Sequence, residues 1–227
     1  EILKGIPVRA DITAGSASER AALRQALQAG RLYVVDRGYL DYALFQEIMD
    51  AGSSFVGRAV SNVVAETVED RPLDDEARAA GVIRDRVVRL GCEPKREDLR
   101  NPVRLVEVRV RENGKEAILL LVTDRLDLAA DLVALIYRCR WQVELFFRWL
   151  KCVLGCRHLL SDSANGVTLQ VYAAVIASLL ISVGTGLKPT KRTYETICLY
   201  FQGWVTEEEL LAHIRGRAAQ ESNSKIS

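Results

Sequence analysis

The sequence predicts an α/β fold in which a mixed sheet with flanking helices is interrupted by an antiparallel β insertion. Three observations predict it. Short apolar runs alternate with amphipathic helical stretches over the first sixty residues. Strand patterns separated by charge-rich connections fill residues 61–120, and one long amphipathic stretch, 131–160, follows them. About half of the 227 residues are apolar, which is enough to bury one sizeable core.

Residues 1–58 are predicted to form the first part of the core. A strand is expected over 6–12, where apolar residues alternate, and a helix is expected from Ser18 to the stop at Gly30. The apolar run 32–35 ends at once in Asp36, which is typical of a buried parallel strand with a functional group at its tip. A helix ending near Ala51 and the strand SSFVGRAV complete this part.

Residues 59–121 are predicted as the β-rich insertion, with strands VIRDRVVRL, VRLVEVRV and EAILLLVTD and the hairpin turn ENGK. Residues 122–203 would return to the core, and residues 204–227 would add a short helix, opened by Thr206 and Glu207, and a disordered tail. The nearly continuous apolar helix expected after Ser163 is interpreted as core.

Composition narrows the functional classes. The 31 basic and 30 acidic residues give a net charge of only +1, so no global field indicates a nucleic-acid partner. Basic charge is instead local, in the stretch 131–158 and in the cluster Lys188, Lys191 and Arg192. Glycine-rich phosphate loops, GxSxG and HExxH are absent from the sequence, so nucleotide hydrolysis, esterase and zinc-protease chemistry lack their usual signatures.

Cysteines and hydropathy predict a location in the cytoplasm. Five cysteines without paired CxxC spacing are interpreted as reduced thiols, and Cys152, Cys156 and His158 lack a second ligand pair for zinc. The most apolar stretch, 171–183, is predicted to be too short to span a bilayer, and no export signal opens the chain. We therefore expect no membrane association.

The stretch 131–160 is predicted to be a single amphipathic helix. Its helical wheel places a broad apolar face, with Leu132, Leu135, Val143, Phe147 and Leu150 among its members, toward the core. Away from that face lies a narrow stripe that carries a phenol, one carboxylate and cations. The stripe consists of Tyr137, Arg140, Glu144 and Lys151, with Arg148 beside it and the rings of Trp141 and Trp149 near its edges.

Two interpretations of these charged residues remain open at this point. The stripe is either a solvated face, with Arg140 and Glu144 as an i,i+4 pair, or a surface suited to phosphates and bases. Asp36 is either a turn former or helix cap, or a hard oxygen ligand for Mg²⁺ or Mn²⁺ if a second carboxylate meets it.

The spacing of Tyr137, Arg140, Glu144 and Lys151 resembles the Y-R-E-K signature of bacterial insertion-sequence transposases of the DDE type, in the insertion sequence 4 branch. The segment YVVDRGYLDYALFQEIMDAGSSFVGR resembles that family's second catalytic Asp region. The resemblance implies a ribonuclease-H-like core with a β-rich insertion before the Glu helix. It also implies double-stranded DNA as the partner, a dimer that bridges two DNA ends, and transposition by phosphodiester hydrolysis and strand transfer.

Site residues follow from the same resemblance. It implies that Asp36 and Glu144 are catalytic metal ligands for Mg²⁺, with Mn²⁺ as a substitute. Tyr137, Arg140 and Lys151 would hold the DNA backbone beside the metal, and Arg148 and Trp141 are further DNA-binding candidates. The two carboxylates are expected to lie within about 5 to 7 Å of each other.

The family's first Asp has no match in the sequence, so residues 1–227 are expected to be a fragment that binds DNA without nicking it. The alternatives are a non-enzymatic DNA-binding remnant of a transposase and a plain scaffold domain. Metal-dependent nicking separates the enzyme from the remnant, and salt-sensitive DNA affinity separates the remnant from the scaffold.

Overall fold

The computed structural model describes residues 7–13, 17–92, 98–112, 114–152 and 160–224. The chain divides into two compact units, one formed by residues 13–140 and the other by residues 1–12 together with 141–227.

A mixed sheet organises the unit 13–140. Its neighbouring strands β1 and β2 are parallel, and the other pairs are antiparallel, in the order β1-β2-β6-β5-β4-β3. The predicted fold class is confirmed, because this six-stranded sheet with flanking helices is consistent with a ribonuclease-H-like fold. The strands are β1 Leu32–Val35, β2 Ser54–Arg58, β3 Ala65–Asp70, β4 Val82–Leu90, β5 Val103–Glu112 and β6 Lys115–Thr123.

Helices cover both faces of the sheet because successive strand residues point to opposite sides. Phe55 of β2 stacks on Phe45 at 4.1 Å between ring centroids, on the face covered by α1 (Glu19–Gln25) and α2 (Tyr42–Asp50). The next residue, Val56, belongs to the second core, under α3 (Asp75–Ala79) and α4 (Ala130–Cys139). The sheet is thus the middle of three layers.

The first predicted strand is wrong. Residues 7–13 form no strand, and the Val8 side chain is 76% exposed. Alternation alone cannot make a strand unless a neighbour supplies hydrogen bonds, and the sheet pairings within the described residues leave this segment unpaired. The predicted insertion strands are present as β4, β5 and β6, and β3 joins them in a stretch predicted only as charge-rich. Whether residues 59–121 form a separate domain remains a prediction.

The single helix predicted over 131–160 is wrong, because it breaks at Arg140 into α4 and α5 (Trp141–Cys152). Residues 153–159 lie outside the described part of the chain. The predicted apolar face fails with the break, since Leu132, Leu135, Val143 and Phe147 are exposed. Each of the two helices packs against its own neighbours. A helical wheel that assumes one continuous helix therefore assigns the wrong buried face.

The second unit is helical over its described part, with α5, α6 (Ala164–Thr185), α7 (Lys191–Phe201) and α8 (Glu207–Ser224). Its core joins Trp149 and Leu150 of α5 to Ala174, Val175 and Ile181 of α6. Only one side of α6 is core, as Leu169, Ile176, Leu180 and Val183 are exposed. Thr206 and Glu209 form the capping box of α8, so the partner of Thr206 is Glu209 and not Glu207. The helix reaches Ser224 through part of the predicted disordered tail.

The length of α6 corrects the expectation that the apolar stretch is too short for a bilayer. Its 22 residues are long and apolar enough to cross a membrane by length and composition alone. The same length and composition occur in core helices, and the side that carries Ala174, Val175 and Ile181 packs on α5. The absence of membrane association remains a prediction.

Candidate active site

Asp36 directly follows β1, at the edge of the sheet that is formed by the carboxyl ends of the parallel strands β1 and β2. Its side chain caps the short 3₁₀ turn Arg37–Tyr39 by accepting a hydrogen bond from Gly38 N to Oδ1 at 2.8 Å. The turn-forming interpretation of Asp36 is therefore confirmed. Among the described residues this bond engages Oδ1 alone, and the side chain is half-buried. A carboxylate at a strand end with one oxygen committed to the turn retains Oδ2 as a ligand atom.

Arg58 lies beside Asp36, and sequence interpretation missed it. The parallel register pairs Val35 with Gly57, so the next residues, Asp36 and Arg58, leave two adjacent strands at the same edge. A signal was present, because a charged residue interrupts the apolar run of the predicted strand SSFVGRAV much as Asp36 ends the run before it, and the carboxyl ends of parallel strands meet at one edge. The side chain of Arg58 is half-buried.

Tyr137 joins this edge from α4. The sequence placed it on the stripe away from the apolar face, but its side chain is only 7% exposed and packs in the core with Val56 and Leu121. Arg140, where α4 ends, places its guanidinium carbon 5.7 Å from the centre of the Tyr137 ring. Tyr137 therefore packs with residues of the sheet, and Arg140 lies against its ring.

The pKa of the Tyr137 phenol depends on its burial and on the charged groups around it. Burial raises the pKa of the Tyr137 phenol above its ordinary value, because a buried phenolate loses hydration. The charges of Arg140 and Arg58 oppose the rise, and the charge of Asp36 adds to it. The described residues therefore bring a carboxylate, two guanidinium groups and a neutral phenol to one edge.

We expect Arg58→Met to raise the pKa of Tyr137 further, because a cation that favours the phenolate is removed while burial persists. The measurement is a ¹⁹F NMR titration of protein labelled with 3-fluorotyrosine, with Tyr137→Phe identifying the resonance. Arg84→Met is the matched control, since Arg84 pairs with Asp70 on strands away from Tyr137. An unchanged or lowered Tyr137 pKa in Arg58→Met would contradict the grouping.

The helix α5 carries the remaining predicted residues. Glu144 is half-buried, Arg148 and Lys151 are exposed, and the Trp141 ring is 51% exposed. Trp149 is different, because its ring is buried edge-on against Tyr194 with 6.0 Å between ring centroids. The prediction that Trp149 offers a ring at the edge of the stripe is wrong, whereas Trp141 has the exposure that stacking on a base requires.

Of the basic cluster Lys188, Lys191 and Arg192, Lys188 contacts the start of α5. Lys188 Nζ donates to Gln142 Oε1 at 3.1 Å, and Arg217 Nη1 donates to the Lys188 carbonyl at 3.1 Å. Burial lowers the pKa of His213, and the charges of Arg192 and Arg217 lower it further. Within this unit, Lys188 therefore contacts the helix that carries Glu144, and Arg192 and Arg217 lie around His213.

In the described part of the chain, no three His, Cys, Asp or Glu side chains come together in a way that could hold a metal ion. Cys156 and His158 lie outside the described residues, and Cys92, Cys139 and Cys198 are free thiols. Asp36 and Glu144 are hard oxygen donors of the kind that Mg²⁺ takes, so they fit as part of a ligand set. They belong to different units, so their convergence remains a prediction.

The sheet and its edge define a mixed α/β protein with a carboxylate, guanidinium groups and a phenol arranged around a strand end. Residues 3–180 match the family described as Transposase DDE domain, and the chain belongs to this family. The recognition made from the Y-R-E-K spacing is thereby confirmed.

Relatives named as transposases agree with this assignment. The chain is 36% identical over 163 residues to y4zB of Sinorhizobium fredii, covering 71% of this chain and 45% of that protein. It is 28% identical over 158 residues to the protein named for insertion sequence element IS5377 of Geobacillus stearothermophilus, covering 69% and 40%. A Synechocystis protein named for element IS4SA matches at 30% over 81 residues, covering 36% of this chain and 24% of that protein. The chain thus spans less than half the length of these relatives.

Proposed function

We propose that this chain is part of a transposase that acts in DNA transposition and recombination, by metal-dependent phosphodiester hydrolysis and strand transfer at transposon ends. The observation that carries the proposal is the grouping of Asp36, Arg58, Tyr137 and Arg140 at one edge of the sheet. A phosphodiester needs cations for its oxygens and a carboxylate to hold a metal, and this edge supplies both.

Each residue has a distinct role in the proposal. Arg58 and Arg140 bind non-bridging phosphate oxygens, because a guanidinium presents two parallel N–H donors to such oxygens. Tyr137 stays a neutral phenol near pH 7, since its pKa is raised, and it therefore donates a hydrogen bond without repelling the phosphate. On α5, Lys151 and Arg148 contact the DNA backbone.

Asp36 and Glu144 would hold the metal, Mg²⁺ with Mn²⁺ as a substitute. A divalent ion there supplies Lewis-acid stabilisation of charge on the phosphoryl oxygens. Trp141 offers an exposed ring on which a base can stack. The proposal includes double-stranded DNA as the partner, a dimer that bridges two DNA ends, and a location in the cytoplasm.

Measurements of DNA binding test the proposed phosphate contacts of Arg140 and Lys151. We expect Arg140→Ala and Lys151→Ala each to weaken binding to duplex DNA and to reduce the slope of log affinity against log salt by about 0.9, because one phosphate contact is lost. Fluorescence anisotropy over a salt series measures both. Arg138→Ala is the matched control, since Arg138 is an exposed cation on α4 two residues from Arg140.

The two outcomes separate phosphate contact from surface pairing. If these arginine and lysine side chains only pair with carboxylates at the surface, the substitutions should leave DNA affinity unchanged and alter stability by about 0.5 kcal/mol or less. Equal losses in Arg140→Ala and Arg138→Ala would mean that net charge, and not the signature positions, carries the binding.

A further inference from the structure

A buried ion pair joins two strands of the sheet beneath α4. Asp85 of β4 and Arg104 of β5 are 3% and 2% exposed. Arg104 Nε donates to Asp85 Oδ1 at 2.8 Å and Nη2 donates to Oδ2 at 2.6 Å, so the pair is bidentate. Neither residue belongs to the candidate active site.

The same guanidinium also reaches the segment that enters α4. Arg104 Nη1 donates to the carbonyl of Leu128 and, at 3.4 Å, to the carbonyl of Arg125. Arg71 adds a third bond to this segment, from Nη1 to the Leu126 carbonyl at 2.7 Å. Three backbone carbonyls between β6 and α4 are therefore held by arginines from the strand region of the sheet.

The start of α4 is not fixed by a side-chain cap. Its N-cap residue is Ala129, which makes no side-chain capping bond, whereas Ser or Asp occupies that position in α1, α2 and α3. A cleft of about 270 Å³ lies alongside, lined by residues that include Arg104, Asp85, Leu128 and Ala129. On this side the segment is held by bonds to its carbonyls.

We propose that Arg104, oriented by Asp85, is a positioning residue that sets α4 on the sheet and thereby places Tyr137 and Arg140 beside Asp36. The tether acts at one end of α4, and the two signature residues lie about ten residues along, roughly 15 Å away at 1.5 Å per residue. A tilt or shift at the tethered end is carried along the rigid helix to both side chains. The positioning deepens the proposed function and rests on it only for its consequence in DNA binding.

A role in stability alone would not require this pair, because apolar replacements of buried ion pairs are often neutral for folding. The experiment therefore replaces both partners, Asp85→Leu with Arg104→Met, so that no unpaired charge stays buried. The control is Arg86→Met with Glu107→Leu, since Arg86 Nη2 pairs with Glu107 Oε1 at 2.7 Å on the same two strands. Arg86 follows Asp85 directly and faces the other side of the sheet.

Two measurements detect a change in the position of α4, namely the pKa of Tyr137 and the affinity for duplex DNA. In the Asp85→Leu/Arg104→Met protein, the raised pKa of Tyr137 should move back toward its ordinary value near 10, measured by ¹⁹F NMR of 3-fluorotyrosine. Affinity for duplex DNA should fall, with a salt slope reduced by about 0.9 for each lost phosphate contact. The control protein should keep the Tyr137 pKa and the DNA affinity of the unmodified chain.

A folded double variant with unchanged Tyr137 titration overturns the proposal. If that variant does not fold, Arg104→Lys replaces it, since one ammonium keeps the charge but cannot bridge Asp85 and the two carbonyls. A Tyr137 pKa in Arg104→Lys equal to that of the unmodified chain overturns the proposal as well. If the unmodified chain fails to bind DNA, the proposed function fails, and the Tyr137 titration still decides the positioning.

Discussion

Asp36→Asn is expected to lower metal-dependent DNA cleavage by on the order of a thousandfold or more, and Asp36→Ala is expected to lower it no further. The neutral amide cannot replace a carboxylate ligand, and loss of an essential ligand removes stabilisation of the transition state. Cleavage is measured with Mg²⁺ and with Mn²⁺ in any form of the protein that nicks DNA. In residues 1–227 alone, weaker Mn²⁺ binding in water-proton relaxation is the corresponding readout.

The Asn variant separates the two roles of Asp36. Asn can still accept the hydrogen bond from Gly38 N, so the 3₁₀ turn is retained. Asp36→Ala loses that bond as well and should cost about 1 kcal/mol of stability. Asp36 is a turn cap and nothing more if Asp36→Asn keeps full cleavage and Mn²⁺ affinity while Asp36→Ala loses only stability.

Asp85→Asn is expected to destabilise the fold by about 3 to 5 kcal/mol, because it leaves the Arg104 guanidinium buried without its counter-charge. The loss is measured as a shift of the urea unfolding midpoint. The matched control is Asp70→Asn, whose partner Arg84 is 49% exposed on the same sheet, and this change should cost about 1 kcal/mol or less.

The double replacement Asp85→Leu with Arg104→Met should restore most of that stability, since no unpaired charge remains. A loss under about 1 kcal/mol in Asp85→Asn would mean that water reaches Arg104 through the neighbouring cleft, and the pair would then lack the rigidity that positioning requires.

Local patterns in the sequence identified much of the fold. The alternation of residues in β4, β5 and β6 and the turn at Gly114 predicted a hairpin region, and the apolar run before Asp36 predicted β1. The Y-R-E-K spacing identified the family. These features succeed because each depends on residues that are neighbours along the chain, where backbone preference and side-chain period act directly.

Other outcomes depended on partners that are distant in sequence. Residues 6–12 have the pattern of a strand, yet strand formation needs a pairing edge that the pattern cannot supply. Trp149 has the composition of a stacking residue, yet its ring is buried against Tyr194, forty-five residues away by number. The wheel over 131–160 assumed one helix, and the break at Arg140 gave α4 and α5 separate buried sides.

By itself the sequence determined the mixed α/β class and the transposase family. It also identified the candidate site residues Asp36, Tyr137, Arg140 and Glu144. These results follow from motif spacing and periodicity, which are properties of residues that are near one another along the chain. Tertiary structure alone decided that Arg58 joins Asp36, that Tyr137 is buried, and that Arg104 holds the entry to α4. Those placements follow from strand register and from hydrogen bonds across the sheet, which unite residues whose separation in sequence carries no local signal.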